Sequence, residues 1–487
     1  MKLLSAFTAN CIQDPSRILC SDLHGDYSIG FLDQASAKVY RYLRDQGIGR
    51  EQVVAISLPR SVMVPAAILG VIKAGAAFVV FGEKLSDEMR DFFMKDTGAV
   101  LRIDLPLYEE IMGLEPLPGY VEADPHDLAC IVYSSGSTGF FRGSMHEYGK
   151  FEIMCRRTEL FGDYESEYGG LSHERFGMVF GFYGIDGLLL LISCLYTNAY
   201  FDIIPYGVAM DPARMHRELV DRRLTTTTLA PVHLKDPSFL EGTCLEYVYV
   251  GYEVFDHIYS IDLPIYNAYG LTEAGIDVMA FQIDRPYDIT PAGIPYADLT
   301  VCLKDETGCE VPLGEVGEIC ILSEYFRGYC NRPEDTRAAL VDGWLHTGDM
   351  ARIRPDGNYV IVGRKNDLLH TQQGWIVPSE IAAAAKCACG LSWAYVKLYP
   401  SVNADEAASR DAAFSGNGSN TQPIICLYYT DDIELSAETI RLRLKGILPD
   451  YQQPTHAMHI DKLEYFTSGK LNRRAFPKPS QKGQVIL

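Results

Sequence analysis

Three features of this sequence predict an α/β fold: a large N-terminal domain of layered, mostly parallel sheets and helices, followed by a smaller α+β C-terminal unit. Strand-like apolar runs alternate with amphipathic helical ones from the N-terminus to about Val362. Beyond it, "AYVKLYP", "PIICLYYT" and "SAETIRLRLKGIL" read as two strands and a helix of a second core. The length of 487 residues exceeds what one ordinary core organises, so two or more domains are expected.

In chain order, "ASAKVYRYLRDQGIG" reads as a helix ended by glycine, and "EQVVAISL" as a strand. "VPAAILGVIKAGAAFVVF" reads as a helix leading into another strand. "LACIVY" is short, apolar and β-branched, as a buried strand requires. It runs into "YSSGSTGFFRG", Tyr133 to Gly143, where six Ser, Thr and Gly residues precede an arginine. Glycines admit close backbone approach, hydroxyls and free N–H groups donate to anions, and Arg142 adds a planar cationic fork. The stretch is read as a polyphosphate loop, though not of the GxxxxGK[ST] type, since no Gly-Lys-Ser/Thr follows. "GLLLLISCLY", Gly187–Tyr196, is too short to cross a bilayer and reads as a buried core helix. "LEYVYVGYE" is a further strand. "SVNADEAASRDAAFSGNGSNTQ" has few large apolar residues and reads as a loop tip within the second unit.

The net charge of −21 disfavours a nucleic-acid or anionic-membrane binder, both of which call for basic surface. Thirteen dispersed cysteines, with "CAC" (Cys387, Cys389) the only close pair, fit a reducing cytoplasm and carry no zinc signature. The segment "MKLLSAFTANCIQDPSR" has no sustained apolar stretch, so a signal peptide is not expected.

Four separated segments taken together resemble the adenylate-forming superfamily, which includes acyl- and aryl-CoA ligases, luciferases and amino-acid adenylation domains. "YSSGSTGFFRG" is similar to its TSGSTGxPKG phosphate loop and "YNAYGLTEAG" (Tyr266–Gly275) to its NxYGxTE segment. "LHTGDMARIRPDGNYVIVGRKND" (Leu345–Asp367) is similar to its TGD…PDG…GR region, and "TSGKLNRRAF" (Thr467–Phe476) to its C-terminal GK segment. Their order is the family's, and they span nearly the whole chain.

The resemblance implies activation of a carboxylate by ATP with Mg²⁺, giving an acyl-adenylate and pyrophosphate. It assigns Ser134, Ser135, Gly136, Ser137, Thr138 and Gly139 to the phosphates, Tyr269 to adenine, and Asp349 with Arg364 to the ribose. It sets Gly251 against both nucleotide and acid. Glu273 would hold Mg²⁺, a hard cation suited to carboxylate and phosphate oxygens. Lys470, Thr138 and Arg142 take catalytic roles, Lys470 between the carboxylate and the α-phosphate. The implied architecture is a large domain over residues 1–364 and a mobile lid over 365–487, pivoting at Asn366 between adenylation and a thiol-transfer step.

Departures from the family pattern are Phe141-Arg142 for Pro-Lys, Asn366 for the pivot aspartate or lysine, His370 for a following lysine and Gln373 for a glycine. Arginine keeps the charge but not the compact geometry of lysine. "RSVMVPAAILGVIKAGAAFVVF" and "GEVGEICI…RGYCNRPEDT" resemble amino-acid adenylation domains of nonribosomal peptide synthesis, whereas "GWIVPSEI" also resembles aryl-CoA ligases. The acid pocket implied by the alignment comprises Asp186 or Ile185, Val232, Tyr249, Gly251, Ala268, Ile276 and Asp277. If Asp186 occupies the ammonium-binding position the substrate is an α-amino acid; if Ile185 does, the substrate lacks that amine. A purely structural role for Asp186, as the N-cap of the apolar helix, is the competing reading.

The implied partners are a small carboxylic acid and a phosphopantetheine-bearing carrier protein, or coenzyme A in its place. "GGLS" (Gly169–Ser172) is similar to a carrier serine motif, but lies inside the large domain. The alternative to an enzyme is a nucleotide-binding scaffold without turnover, against which stand Glu273, Asp349 and Lys470.

Overall fold

The computed structural model describes residues 1–135, 141–164, 173–230, 233–234, 237–250, 259–399, 423–430, 435–464 and 475–479. The large domain is built on two extended sheets with helices between and outside them. One sheet has six strands in the order 326–329, 141–147, 128–135, 77–80, 53–57, 101–104. The other has nine, ordered 294–295, 276–282, 265–271, 247–250, 226–228, 175–178, 200–203, 18–22, 25–28. Both are parallel at their centres, as the alternating sequence pattern requires; the nine-stranded sheet is antiparallel at both edges and the six-stranded one only at its 326–329 edge, strand 101–104 being parallel.

Period-2 alternation sets the layers. Val54 and Ile56 face the large central core, while Val53 and Ala55 face a second cluster under Phe93 of the helix Asp87–Thr97. Phe201 and Ile203 likewise join the central core, and Tyr200 the outer cluster under Met215 and Leu219 of the helix Pro212–Asp221. Between the sheets lie Met63–Lys73 and Ile185–Thr197, apolar on most sides because they are enclosed on most sides. The helix over "ASAKVYRYLRDQ" starts earlier than its apolar repeat, at Ile29, where the Ser28 hydroxyl accepts the Phe31 N–H at 3.1 Å. It ends before Gly47, whose φ of +70° is left-handed. Among the described residues, no helix is long and apolar enough to cross a membrane.

A five-stranded antiparallel sheet (301–304, 317–322, 344–353, 340–341, with 359–364 on the strand 344–353) comes next in the chain. The smaller α+β unit has strands Ala394–Tyr399, Ile424–Tyr429 and His456–His459, with helices Pro378–Cys389 and Ala437–Leu444 on one face. Phe476 stacks on Tyr428 on the other face at 5.0 Å. Val362 and Met350 pack against Leu368, Trp375 and Val377, and Arg352 pairs with Glu380 at 3.0 Å. These contacts join the five-stranded sheet to the helix Pro378–Cys389 and the residues leading into it. The expected loop tip within the smaller unit, residues 401–422, lies outside the described residues.

Candidate active site

The strand Leu128–Ser135 carries the start of the phosphate-loop segment, and Phe141–Glu147 returns antiparallel to it, with Ser134 opposite Arg142 and Ser135 opposite Phe141. Gly136, Ser137, Thr138 and Gly139 lie between these strands, outside the described residues, as do Val232, Gly251, Lys470 and the "GGLS" stretch. Arg142 pairs with Asp335 at 3.4 Å, and its guanidinium lies 5.5 Å from the Tyr329 ring centroid. The Tyr329 hydroxyl donates to Glu273 Oε1 at 2.7 Å. Arg142 and Glu273 therefore flank one tyrosine, a cation and a carboxylate together at the end of the loop-bearing hairpin. Tyr329 was missed in the sequence because its partner lies 56 residues away.

Asp349 and Arg364 face each other across antiparallel strands, and Arg364 Nε lies 2.8 Å from Asp349 Oδ1. The other carboxylate oxygen, Oδ2, accepts the Tyr269 hydroxyl at 2.8 Å. Asp349 is 6 % exposed. Burial raises its carboxyl above the ordinary value; Arg364 and Tyr269 oppose that, while Glu273 and Glu318 add to it through their charges. Gly348, at φ +72°, makes the turn that presents Asp349, and the Glu318 carboxylate accepts its N–H at 2.9 Å. Tyr269, Asp349, Arg364 and Glu273, distant in sequence, are thus gathered into one neighbourhood.

A second group lies where the strand Ile276–Gln282 meets the helix Ile185–Thr197. The N-cap of that helix is Gly184; Asp186 is in its first turn, so the N-cap reading of Asp186 is corrected. Ile185 is buried in the central core, and so is Ile276. Asp277 has its carboxyl pushed up to about 7 by burial and by the charge of Asp186, with Arg157 opposing. Gly270 is required opposite it: a Cβ there would stand 2.8 Å from Asp277 Oδ1. Arg157, not picked out in the sequence, donates to the Asp277 carbonyl and to Asp298 Oδ1, the latter at 2.9 Å, and lies 4.6 Å from the Tyr296 ring. Tyr249 is half-buried beside Tyr266, with ring centroids 5.9 Å apart, and Ala268 is half-buried opposite Ala280.

Asn366 lies in a 3₁₀ turn, Lys365–Asp367, directly after the strand Tyr359–Arg364. Lys365 Nζ is 3.1 Å from Glu318 Oε2. His370 stacks on Trp375 at 4.5 Å, and Gln373 lies at the tip of the hairpin formed by Leu369–Thr371 and Gly374–Ile376.

Bacitracin synthase 1 of Bacillus licheniformis is 27% identical over 479 residues, covering 92% of this chain. Surfactin synthase subunit 3 of Bacillus subtilis (strain 168) is 27% identical over 496 residues, again covering 92%. The chain spans only 9% and 36% of these two relatives' own lengths. Among solved structures, the anthranilate CoA ligase AuaEII in complex with anthranoyl-AMP superposes with a TM-score of 0.79 at 18% identity, over 97% of this chain and 96% of that one. O-succinylbenzoate coenzyme A synthetase from Bacillus subtilis, in complex with ATP and magnesium ion, gives 0.75 at 18% identity over 96% and 98%. These likenesses establish a shared fold. The AMP-binding enzyme family matches residues 7–330, which hold the loop-bearing hairpin and both carboxylates Glu273 and Asp277, and the chain belongs to that family.

Proposed function

We propose that this chain adenylates a carboxylic acid, an amino acid in the first instance, and passes the acyl group to the phosphopantetheine thiol of a carrier protein. The observation carrying this reading is the buried Asp349 carboxylate, held at 2.8 Å by both Tyr269 and Arg364 in the neighbourhood of Glu273. A carboxylate fixed at both oxygens retains lone pairs for a vicinal diol, and an aromatic ring beside it suits a base. The acid's oxygen attacks the α-phosphorus in line and the bond to the pyrophosphate oxygen breaks, so positioning and charge stabilisation carry the catalysis. Glu273 is fixed by Tyr329 and keeps acceptor capacity for a hard cation, so the donor set fits Mg²⁺. When bound, that ion neutralises phosphate charge. Arg142 and the loop from Ser134 to Gly139 bind the phosphates, Arg142 exchanging Asp335 for them. Residues 1–364 form the nucleotide- and acid-binding domain and 365–487 the moving one.

Relatives in peptide synthesis support the carrier thiol and an amino acid; coenzyme A is the other acceptor of the same chemistry. Mg²⁺-dependent ATP–pyrophosphate exchange, screened over amino, hydroxy and aryl acids, is expected to respond to at least one acid. Nucleotide binding without exchange for any acid would instead mark a scaffold.

The Asp186–Asp277 pair supports an acid that carries a cation. Asp277 is neutral below about pH 7 and charged above it. Affinity for an ammonium-bearing acid is therefore expected to rise as pH increases through 7. In Asp277→Asn that rise should vanish while ATP affinity is retained; KM for the acid, measured from pH 6 to 8, checks it.

A further inference from the structure

We propose that Glu318, Cys320 and His346 form a three-donor site for a zinc-class divalent cation, separate from the Mg²⁺ position at Glu273. Their ligating atoms all lie within 4.8 Å of one another. Glu318 Oε2 is 3.1 Å from His346 Nδ1, and Cys320 Sγ is 3.5 Å from the same nitrogen. Tetrahedral zinc, with bonds of about 2.0–2.3 Å, separates such donors by roughly 3.3–3.6 Å. Two of the three separations are therefore close to the spacing that a bound ion demands, and the third, between Glu318 and Cys320, is within 4.8 Å.

Strand geometry explains the convergence. Glu318 and Cys320 are two apart on the strand Gly317–Leu322 and so share a face. Cys320 is directly opposite His346 on the antiparallel strand Trp344–Ile353, which brings the imidazole to that face. A register shift between Glu318 and Cys320 then sets Thr347, Gly348 and Asp349 opposite the single residue Ile319, and the Gly348 N–H anchors the second Glu318 oxygen at 2.9 Å. The ligand spacing, E-x-C with a histidine 26 residues on, matches no linear zinc motif because pairing rather than proximity in sequence assembles it.

Carboxylate, thiolate and imidazole are the donor types zinc prefers, and two anions balance its charge. On binding, the Cys320 S–H bond breaks and its proton leaves to solvent; lone pairs of Sγ, Nδ1 and Oε2 form the three bonds. Cys320 is fully buried, whereas the His346 side chain is 21% exposed, which leaves one side open to solvent and to a fourth ligand. Lys365 Nζ occupies Glu318 Oε2 at 3.1 Å, so the cation and this ammonium compete for one oxygen. Lys365 comes directly after Arg364, so the competition acts on the turn that leads out of the five-stranded sheet.

Co²⁺, a zinc substitute with visible absorption, tests the site in the full-length protein. The expected result is one equivalent bound, with tetrahedral ligand-field bands and a thiolate-to-cobalt charge-transfer band. These should persist when the exposed cysteines are removed together (Cys244→Ser, Cys309→Ser, Cys387→Ser). They should disappear in Cys320→Ser and in His346→Gln, each shown to be folded by circular dichroism. Lys365→Met removes the competing charge and should tighten Co²⁺ binding by about tenfold. If Cys320→Ser does not fold, the partly exposed His346 and Lys365 variants decide. No charge-transfer band, a band that survives His346→Gln, or one lost with the exposed cysteines would each overturn the site.

Discussion

Lys470→Ala is expected to slow adenylate formation by about 10²–10³-fold, the usual effect of deleting one positioned electrostatic donor. By the family resemblance its ammonium would stand between the acid's carboxylate and the α-phosphate, where charge develops as the new bond forms. ATP affinity measured by calorimetry should change little, while pyrophosphate exchange falls. The junction offers the complementary variant. Arg364 has φ −86° and ψ 143°, the extended conformation that a following proline demands, and Lys365 opens the 3₁₀ turn. Lys365→Pro therefore fits the turn and pins it, whereas proline at Asn366 would force Lys365 out of it. Lys365→Pro is expected to preserve one half-reaction and impair the other, measured as pyrophosphate exchange and thioester formation. Lys365→Ala controls for the lost Glu318 ion pair. Identical defect profiles for Lys470→Ala and Lys365→Pro would refute a lid that moves between two half-reactions.

Asp349→Ala is expected to weaken ATP binding by about 10²-fold, since hydrogen bonds to a charged acceptor contribute roughly 1.5–3 kcal/mol each. The loss has two sources in the structure. The substitution removes the acceptor itself and strips the Tyr269 hydroxyl and Arg364 Nε of their partner at 2.8 Å. The free protein should also melt lower, because a half-buried phenol is left without its acceptor. Asp349→Asn keeps one acceptor oxygen for Tyr269 and should fall between wild type and alanine in both measurements. A folded Asp349→Ala protein with unchanged ATP affinity would remove Asp349 from the nucleotide site.

Much of this molecule was legible in local patterns. "EQVVAISL" predicts a strand, and Val53–Ser57 is one, buried on both faces. "GLLLLISCLY" predicts a core helix, found as Ile185–Thr197. The quoted motifs predicted the family as well, since short stretches of Gly, hydroxyl and carboxylate residues carry their chemistry in their own spacing.

Contacts between distant strands were not legible. Tyr269 meets Asp349 across 80 residues, and Tyr329 meets Glu273 across 56. Asp277 was assigned to the acid pocket by resemblance, but its surroundings were not legible: folding sets it near Asp186 and Arg157 and out of water, raising its carboxyl to about 7. The dispersed cysteines gave no metal pattern, yet antiparallel pairing sets Cys320 opposite His346. The sequence by itself determined the layers, the element types and the family, because backbone preference and apolar periodicity act between near neighbours. Only the tertiary structure decided which charges face one another and how dry each is, because Coulomb energy and desolvation depend on distance in space, which register and packing set.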